Sequence, residues 1–234
     1  MTSLHVHGSG SRGNCVAITC GDATLLVDAG FSARETLRRA ALAGVALESV
    51  IGIAITHEHS DHVSGAPLLA RKLGVPVLTA PGTWAAVSHQ FKATTRHTPL
   101  GLSATVELGP FTIYAAPTSH DAAEPLALAV HCASGERIGI AHDLGRMTAG
   151  VRLLLRDLSA LVFESNHDEI RLRTCGYPPS VQARIACSTG HLSNRAPAEA
   201  LAERCHPGLG TVVLAHLSEK SNDPGEALKV VRPA

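Results

Sequence analysis

The chain has 234 residues, 45% hydrophobic and 17% charged. That composition belongs to a sizeable globular core, not to a disordered chain or a disulfide-stapled miniature. Lysine plus arginine equals aspartate plus glutamate, 20 each, which excludes bulk positive charge as the means of holding nucleic acid. No run of about 18 apolar residues offers a membrane span. Residues 1–10 lack the basic and apolar regions of a secretory signal, so the expectation is a cytoplasmic protein without membrane contact.

In chain order, residues 9–14 (SGSRGN) read as a small-residue loop between two strands. Cys15–Cys20 and Ala23–Asp28 read as strands joined at Gly21-Asp22, a hairpin signal. Ala33–Ala43 reads as a helix ended by Gly44, and Ser49–Thr56 as a buried strand. Val63–Leu73 is predicted as one short helix stopped by Gly74. Val75–Ala80 is a strand and Thr83–Gln90 a helix. Ser103–Ala116 gives two strands turning at Gly109-Pro110. Leu126–Cys132 and Arg137–His142 pair around Ser134-Gly135. Ser159–Phe163 and Thr211–Ala215 are strands, and Val181–Cys187 and Ala196–Cys205 are helices. Strands alternate with helices and no linker interrupts them, so residues 1–234 read as a single layered α/β domain. The six cysteines (15, 20, 132, 175, 187, 205) include no C-x-x-C pair and are expected to be reduced thiols.

The densest chemistry is His57-Glu58-His59-Ser60-Asp61-His62, where four potential metal ligands follow a strand directly. In extended backbone His57 and His59 point to the same side, because side chains alternate with period two. Asp61 and His62 come where the chain turns. The spacing offers two imidazoles to one cation, and a carboxylate plus an imidazole to a second. Imidazole suits zinc, iron or manganese, and the carboxylate favours the harder of these.

His-x-His-x-Asp-His after a strand resembles the signature of the metallo-β-lactamase superfamily. Further segments in the same order are similar to its other motifs: Asp28 in LLVDAG, His120 in PTSHDA, Asp143 in AHDLG and His216 in LAHLS. The resemblance implies a four-layer αββα sandwich over essentially the whole chain. It implies two divalent ions (zinc, manganese or iron), one held by His57, His59 and His120 and the other by Asp61, His62 and His216, with Asp143 bridging. Asp28 would hold the histidine loop by hydrogen bonds.

SGSRGNC, THEHSDHVSG, APGTW, PTSHDA, ESNHD and GHLSN narrow the resemblance to the YycJ/WalJ branch, which is associated with metal-dependent 5′-to-3′ exonuclease action on DNA. A hydroxide shared by the two ions would attack phosphorus, and Asp61 would belong to the catalytic set. ESN and GHLSN have the layout of the tRNase Z glutamate and catalytic histidine, which makes His191 the candidate general acid and Glu164 its partner. A carboxylate partner raises an imidazole pKa, so His191 is expected to stay protonated near neutrality.

Ser9, Ser11, Arg12 and Asn14 are candidate phosphate contacts on the glycine loop. Asn166 and His167 are candidate substrate contacts beside Glu164. Between residues 145 and 195, seven arginines stand against four acids, a modest basic bias beside the expected site. His142 is expected to point away from Asp143 if its strand continues. The rival readings are hydrolysis of a small thioester, lactone or β-lactam, a redox di-iron site, and a DNA-binding relic without metal. Asp at 143, His at 59 and the full ligand complement speak against each in turn.

Overall fold

In the computed structural model, which describes residues 1–102, 105–204 and 206–233, two six-stranded sheets carry the helices. The chain divides into two compact units. The first holds residues 1–115, 122–126 and 130–136; the second holds 116–121, 127–129 and 137–234.

The first sheet contains β1 (Thr2–Gly8), β2 (Cys15–Cys20), β3 (Ala23–Val27), β4 (Val50–Ala54), β5 (Val77–Thr79) and β6 (His97–Pro99), in that spatial order. β1, β2 and β3 are antiparallel, and β3 to β6 run parallel. β3 is buried along its whole length, which is why its sequence, ATLLV, is nearly all apolar instead of alternating. The helices of this unit are α1 (Ala33–Leu42), α2 (Ser60–Val63), α3 (Ala66–Leu73) and α4 (Pro81–Val87). Ser32 caps α1 by accepting from the Glu35 backbone N–H, a standard way to satisfy an orphan donor. α3 buries Ala66, Leu69 and Ala70 among Ile53, Ile55 and Val77. Full burial of one such leucine contributes about 1.5–3 kcal/mol.

The second sheet has the order β12-β11-β10-β9-β8-β7, with β7 (Val106–Leu108), β8 (Phe111–Pro117), β9 (Leu126–Cys132), β10 (Arg137–Ala141), β11 (Ala160–Glu164) and β12 (Thr211–Ala215). β10, β11 and β12 are parallel. Their unit carries α5 (Ala149–Leu154), α6 (Glu169–Thr174), α7 (Pro179–Ala186), α8 (Arg195–Arg204) and α9 (Pro224–Val231). Its core gathers Leu144, Val151, Leu158, Leu161, Phe163 and Leu192. Among the described residues no helix is long and apolar enough to cross a membrane.

Most predicted elements form, with three differences. The helix expected over Val63–Leu73 starts only at Ala66, as α3; Val63 ends the preceding α2, and Ser64-Gly65 part the two. The break has a steric cause: a Cβ at Gly65 would lie 2.1 Å from the Phe31 carbonyl oxygen, and the Gly65 N–H leaves helical pairing to donate to Ala29. Second, β6, α5, α6 and α9 form where no element is predicted, while β1 is the strand expected before the 9–14 loop. Those four are short or weakly patterned, and tertiary packing fixes such segments more than local preference does. Third, part of the expected strand pair over 103–116 and the end of the helix expected at Cys205 lie outside the described residues. Cys15, Cys20, Cys132, Cys175 and Cys187 are free thiols, the first three buried.

Candidate metal centre and acid–base pair

The candidate residues sit at the C-terminal ends of parallel strands, where open α/β sheets place their sites. In the first unit Asp28 follows β3 with φ +59°, and Thr56 and His57 follow β4. The buried Asp28 carboxylate accepts from the Thr56 N–H (2.8 Å), the Thr56 hydroxyl (2.9 Å) and His62 Nδ1 (2.9 Å). These bonds tie the start of the histidine segment to its end. With Nδ1 so engaged, the His62 Nε2 faces the Asn14 amide at 3.0 Å and the Asp61 carboxylate at 3.6 Å.

His59 stands at the entry to α2 in extended backbone, which turns the chain so that Asp61 and His62 enter the helix. His57 Nε2 lies 3.1 Å from His59 Nδ1, and the His57 and His62 ring centroids are 4.1 Å apart. His57 and His62 are buried. Three imidazoles and the Asp61 carboxylate, gathered this tightly and partly out of water, form a donor set whose chemistry fits a divalent metal.

The glycine loop supports this segment. Asn14, expected to touch substrate, is buried and turned inward. Its side-chain amide lies 3.0 Å from His62 Nε2 and 3.3 Å from the Asp61 carbonyl, and its oxygen accepts from Ser9 and Gly10. Gly30 lets the loop come this close: a Cβ there would fall 1.6 Å from the Asp61 carbonyl oxygen. Ser11 and Arg12 are exposed at the turn. Glu58, whose partner no pattern revealed, accepts from the Ala123 N–H at 2.6 Å.

In the second unit Asp143 is the hub. It follows β10 with φ +58°, and its carboxylate oxygens lie 3.2 Å from His142 Nδ1, 3.5 Å from His191 Nδ1, 3.5 Å from His216 Nε2 and 3.8 Å from His120 Nε2. The His142 contact corrects the expectation that this ring points away. The strand does not continue, and the left-handed turn at Asp143 brings the two side chains together. His120 Nδ1 donates to the Gly190 carbonyl at 3.1 Å, which directs its Nε2 towards Asp143. Burial, offset in part by Asp143, lowers the His120 pKa and keeps the ring neutral, as a metal-binding imidazole must be.

Glu164 ends β11 and is wholly buried. It accepts from His191 Nδ1 at 2.7 Å, from the Leu144 N–H at 2.7 Å and from the Leu192 N–H at 3.3 Å. Burial pulls the His191 pKa down, but the charge and hydrogen bond of Glu164, with Asp143 and Asp121, outweigh it and push the value up to about 9. The His191 loop closes tightly, because a Cβ at Gly190 would lie 2.2 Å from the Ile185 carbonyl oxygen.

His216 follows β12 with φ +53°. Asn166 donates to its carbonyl at 2.8 Å and lies 3.3 Å from its Nδ1. Asn166 is therefore a buried prop for His216. A donor atom from each of Asp143, Glu164, His191 and His216 falls within one 4.8 Å cluster.

A buried polar set that sequence reasoning missed holds these loops. The Ser165 hydroxyl donates to Asn194, Asn194 to Asn222, and Asn222 to the Ser165 carbonyl, at 2.6–2.9 Å. Four non-glycine residues among those described have positive φ: Asp28, Asp143, His216 and Asp157. Three are candidate site residues, held in a conformation that costs of order 1–3 kcal/mol each. No local pattern announces such strain.

Comparison with known proteins gives these resemblances a wider base. A family profile described as the metallo-beta-lactamase superfamily matches residues 8–143. The chain is 35% identical to exodeoxyribonuclease YycJ of Bacillus anthracis over 93% of this chain and 83% of that protein. It is 30% identical to exodeoxyribonuclease WalJ of Streptococcus pneumoniae over 92% and 81%. Among solved structures, the metallo-beta-lactamase fold protein YhfI of Bacillus subtilis superposes with a TM-score of 0.76 at 18% identity, covering 100% of this chain and 93% of that one. The αββα fold class expected from the motifs is the fold this likeness shows, and that fold implies divalent-metal binding.

Proposed function

The chain belongs to the metallo-β-lactamase superfamily, in the branch of YycJ and WalJ, and from this we infer that it is a cytoplasmic, metal-dependent phosphodiesterase that shortens DNA from its 5′ end. The observation that carries the reading is the His191–Glu164 pair, 2.7 Å apart and beside Asp143. Expelling an alkoxide from a phosphodiester needs a group that is still protonated at neutral pH, as the raised His191 pKa provides, whereas a thiolate leaves a thioester without one.

Two divalent ions form part of the proposal, with His57, His59, Asp61, His62, His120 and His216 as ligands and Asp143 shared, in one catalytic domain over residues 1–234. Ions so held supply Lewis acidity and lower the pKa of a water at neutral pH. The protein's own groups do the rest. Asp28 fixes the His62 ring through Nδ1, Asn14 holds the Asp61 carbonyl, and Gly190 fixes His120 through its carbonyl. His191 gives its Nε2 proton to the departing 3′-oxygen, while Glu164, accepting from Nδ1–H, orients the ring and steadies its positive charge. General acid catalysis of this kind contributes about 10²–10⁴-fold.

A substrate panel with manganese tests the reading: 5′-phosphorylated duplex DNA, RNA, bis-p-nitrophenyl phosphate, nitrocefin and a glutathione thioester. Turnover of the phosphodiesters is expected, with DNA preferred. Turnover confined to nitrocefin or the thioester would reverse the assignment. In the same assay Asp61→Ala is expected to reduce DNA cleavage to background while the circular dichroism spectrum is kept. A fully active variant would remove Asp61 from the site.

A further inference from the structure

The second unit contains a cavity of about 710 Å³ that opens beside His191, within the ~300–1,000 Å³ range of sites that enclose one small-molecule-sized group. Met147, Leu172 and Pro179 give it an apolar wall, and Gln182 adds an amide. Its charged lining is uneven. Arg152 is engaged by Glu203, Glu199 by Arg195, and Glu169 by the Ser193 hydroxyl. Arg146 and Arg173 line the same cavity, are exposed, and form no ion pair with any described residue. His167 also lines it. The residue is 3% exposed, and its Nδ1 has no hydrogen-bond partner among the described residues. An unmet polar group in a buried ring is costly unless something supplies its partner. Burial lowers the His167 pKa, so the ring is neutral and suits a neutral base or sugar group.

We propose that this cavity receives the terminal nucleotide that leaves during cleavage, with Arg146 and Arg173 holding its 5′-phosphate and His167 hydrogen-bonding its sugar or base. The proposal rests on the nuclease reading above. In that reaction water adds to phosphorus, the P–O3′ bond breaks, and His191 passes its proton to O3′. The group on the His191 side therefore departs as a nucleoside 5′-monophosphate with a 3′-hydroxyl. The shortened strand keeps a new 5′-phosphate, so each cut makes the end that the two arginines recognise. Guanidinium pairs are matched to such a group by their planar donor forks.

Calorimetry on the full chain, stripped of metal with chelator, tests the site without catalysis. Deoxyadenosine 5′-monophosphate is expected to bind at least about tenfold more tightly than deoxyadenosine, and inorganic phosphate to displace it. The double variant Arg146→Ala/Arg173→Ala is expected to lose that advantage. With manganese, the native protein should cleave 5′-phosphorylated duplex DNA at least about tenfold faster, in kcat/KM, than the same duplex with a 5′-hydroxyl, and the double variant should not discriminate. Equal binding of nucleotide and nucleoside, or an end preference that survives in the double variant, would overturn the site. Phosphate displacement is read on the unaltered protein, so the test does not depend on the variant folding. Turnover without phosphate dependence sinks the cavity proposal and leaves the nuclease reading standing. Phosphate-dependent binding with no turnover of either duplex sinks the nuclease reading, and with it the leaving-group role of the cavity.

Discussion

The two units supply their polar donors in opposite ways. In the first, four candidate ligands fall within six residues, His57 to His62, and one carboxylate, Asp28, ties the segment together. In the second, His120, Asp143, Glu164, His191 and His216 are spread over nearly a hundred positions; Asp143, Glu164 and His216 meet because β10, β11 and β12 run parallel and end side by side, and His120 and His191 join them from the loops after β8 and α7. A contiguous segment needs a turn and a prop. A dispersed set needs a whole sheet with its register fixed, and it concentrates the consequences of error on its hub.

The sharpest break in that comparison is expected at the hub. Asp143→Ala should bring DNA turnover to background and reduce bound metal measured by elemental analysis, because four histidines converge on that carboxylate. Near-native metal content in that variant would show that the dispersed set is not a metal site. His191→Ala comes next, with kcat lower by about 10²–10⁴-fold and metal content kept; unchanged turnover would leave the ring without a role in proton transfer. The pair also sets a pH profile. An acid must be protonated, so turnover should fall as pH rises through the His191 pKa, which Glu164 and its neighbours hold above the usual imidazole value. Glu164→Gln should move that alkaline limb to lower pH.

A smaller effect tests the contiguous set. Asp28→Asn keeps the shape but weakens the hold on His62, and about 10–100-fold weaker metal affinity is expected from losing such a prop. An affinity within twofold of native in a chelator competition assay would mean that Thr56 and Asn14 suffice.

An effect on stability, not on turnover or metal binding, lies on β1. His7 is buried, and burial, followed by His5 and Arg39, lowers its pKa from 6.5 to about 4. Between those values the unfolded chain takes up a proton that the folded chain refuses. The stabilisation is thus present above pH 6.5 and lost as pH falls towards 4, at most about 3 kcal/mol. In urea denaturation of metal-free protein, His7→Leu should flatten this part of the pH dependence, and an unchanged slope would show that the titrating group lies elsewhere.

What could be read from the sequence follows the same division. The His57–His62 cluster, the β2–β3 hairpin and the strands that carry Asp28, Asp143 and His216 are legible, because spacing, turn residues and apolar runs act over a few positions. Glu164 and His191 were paired by resemblance of motif, since nothing local links residues 27 positions apart. The bracing contacts of Asn14 and Asn166 are not legible in sequence for a related reason. An asparagine beside a motif looks the same in sequence whether it faces solvent or braces a histidine, and only burial separates the two cases.

By itself the sequence determined the donor types, their order along the chain and the family to which they belong. Tertiary structure alone decided the left-handed turns at Asp28, Asp143 and His216, the 2.7 Å contact that charges His191, and the arginine-lined cavity beside it. Side-chain chemistry is written locally, but desolvation, strain and charge coupling depend on distances between residues remote in sequence, and those exist only once the strands have paired.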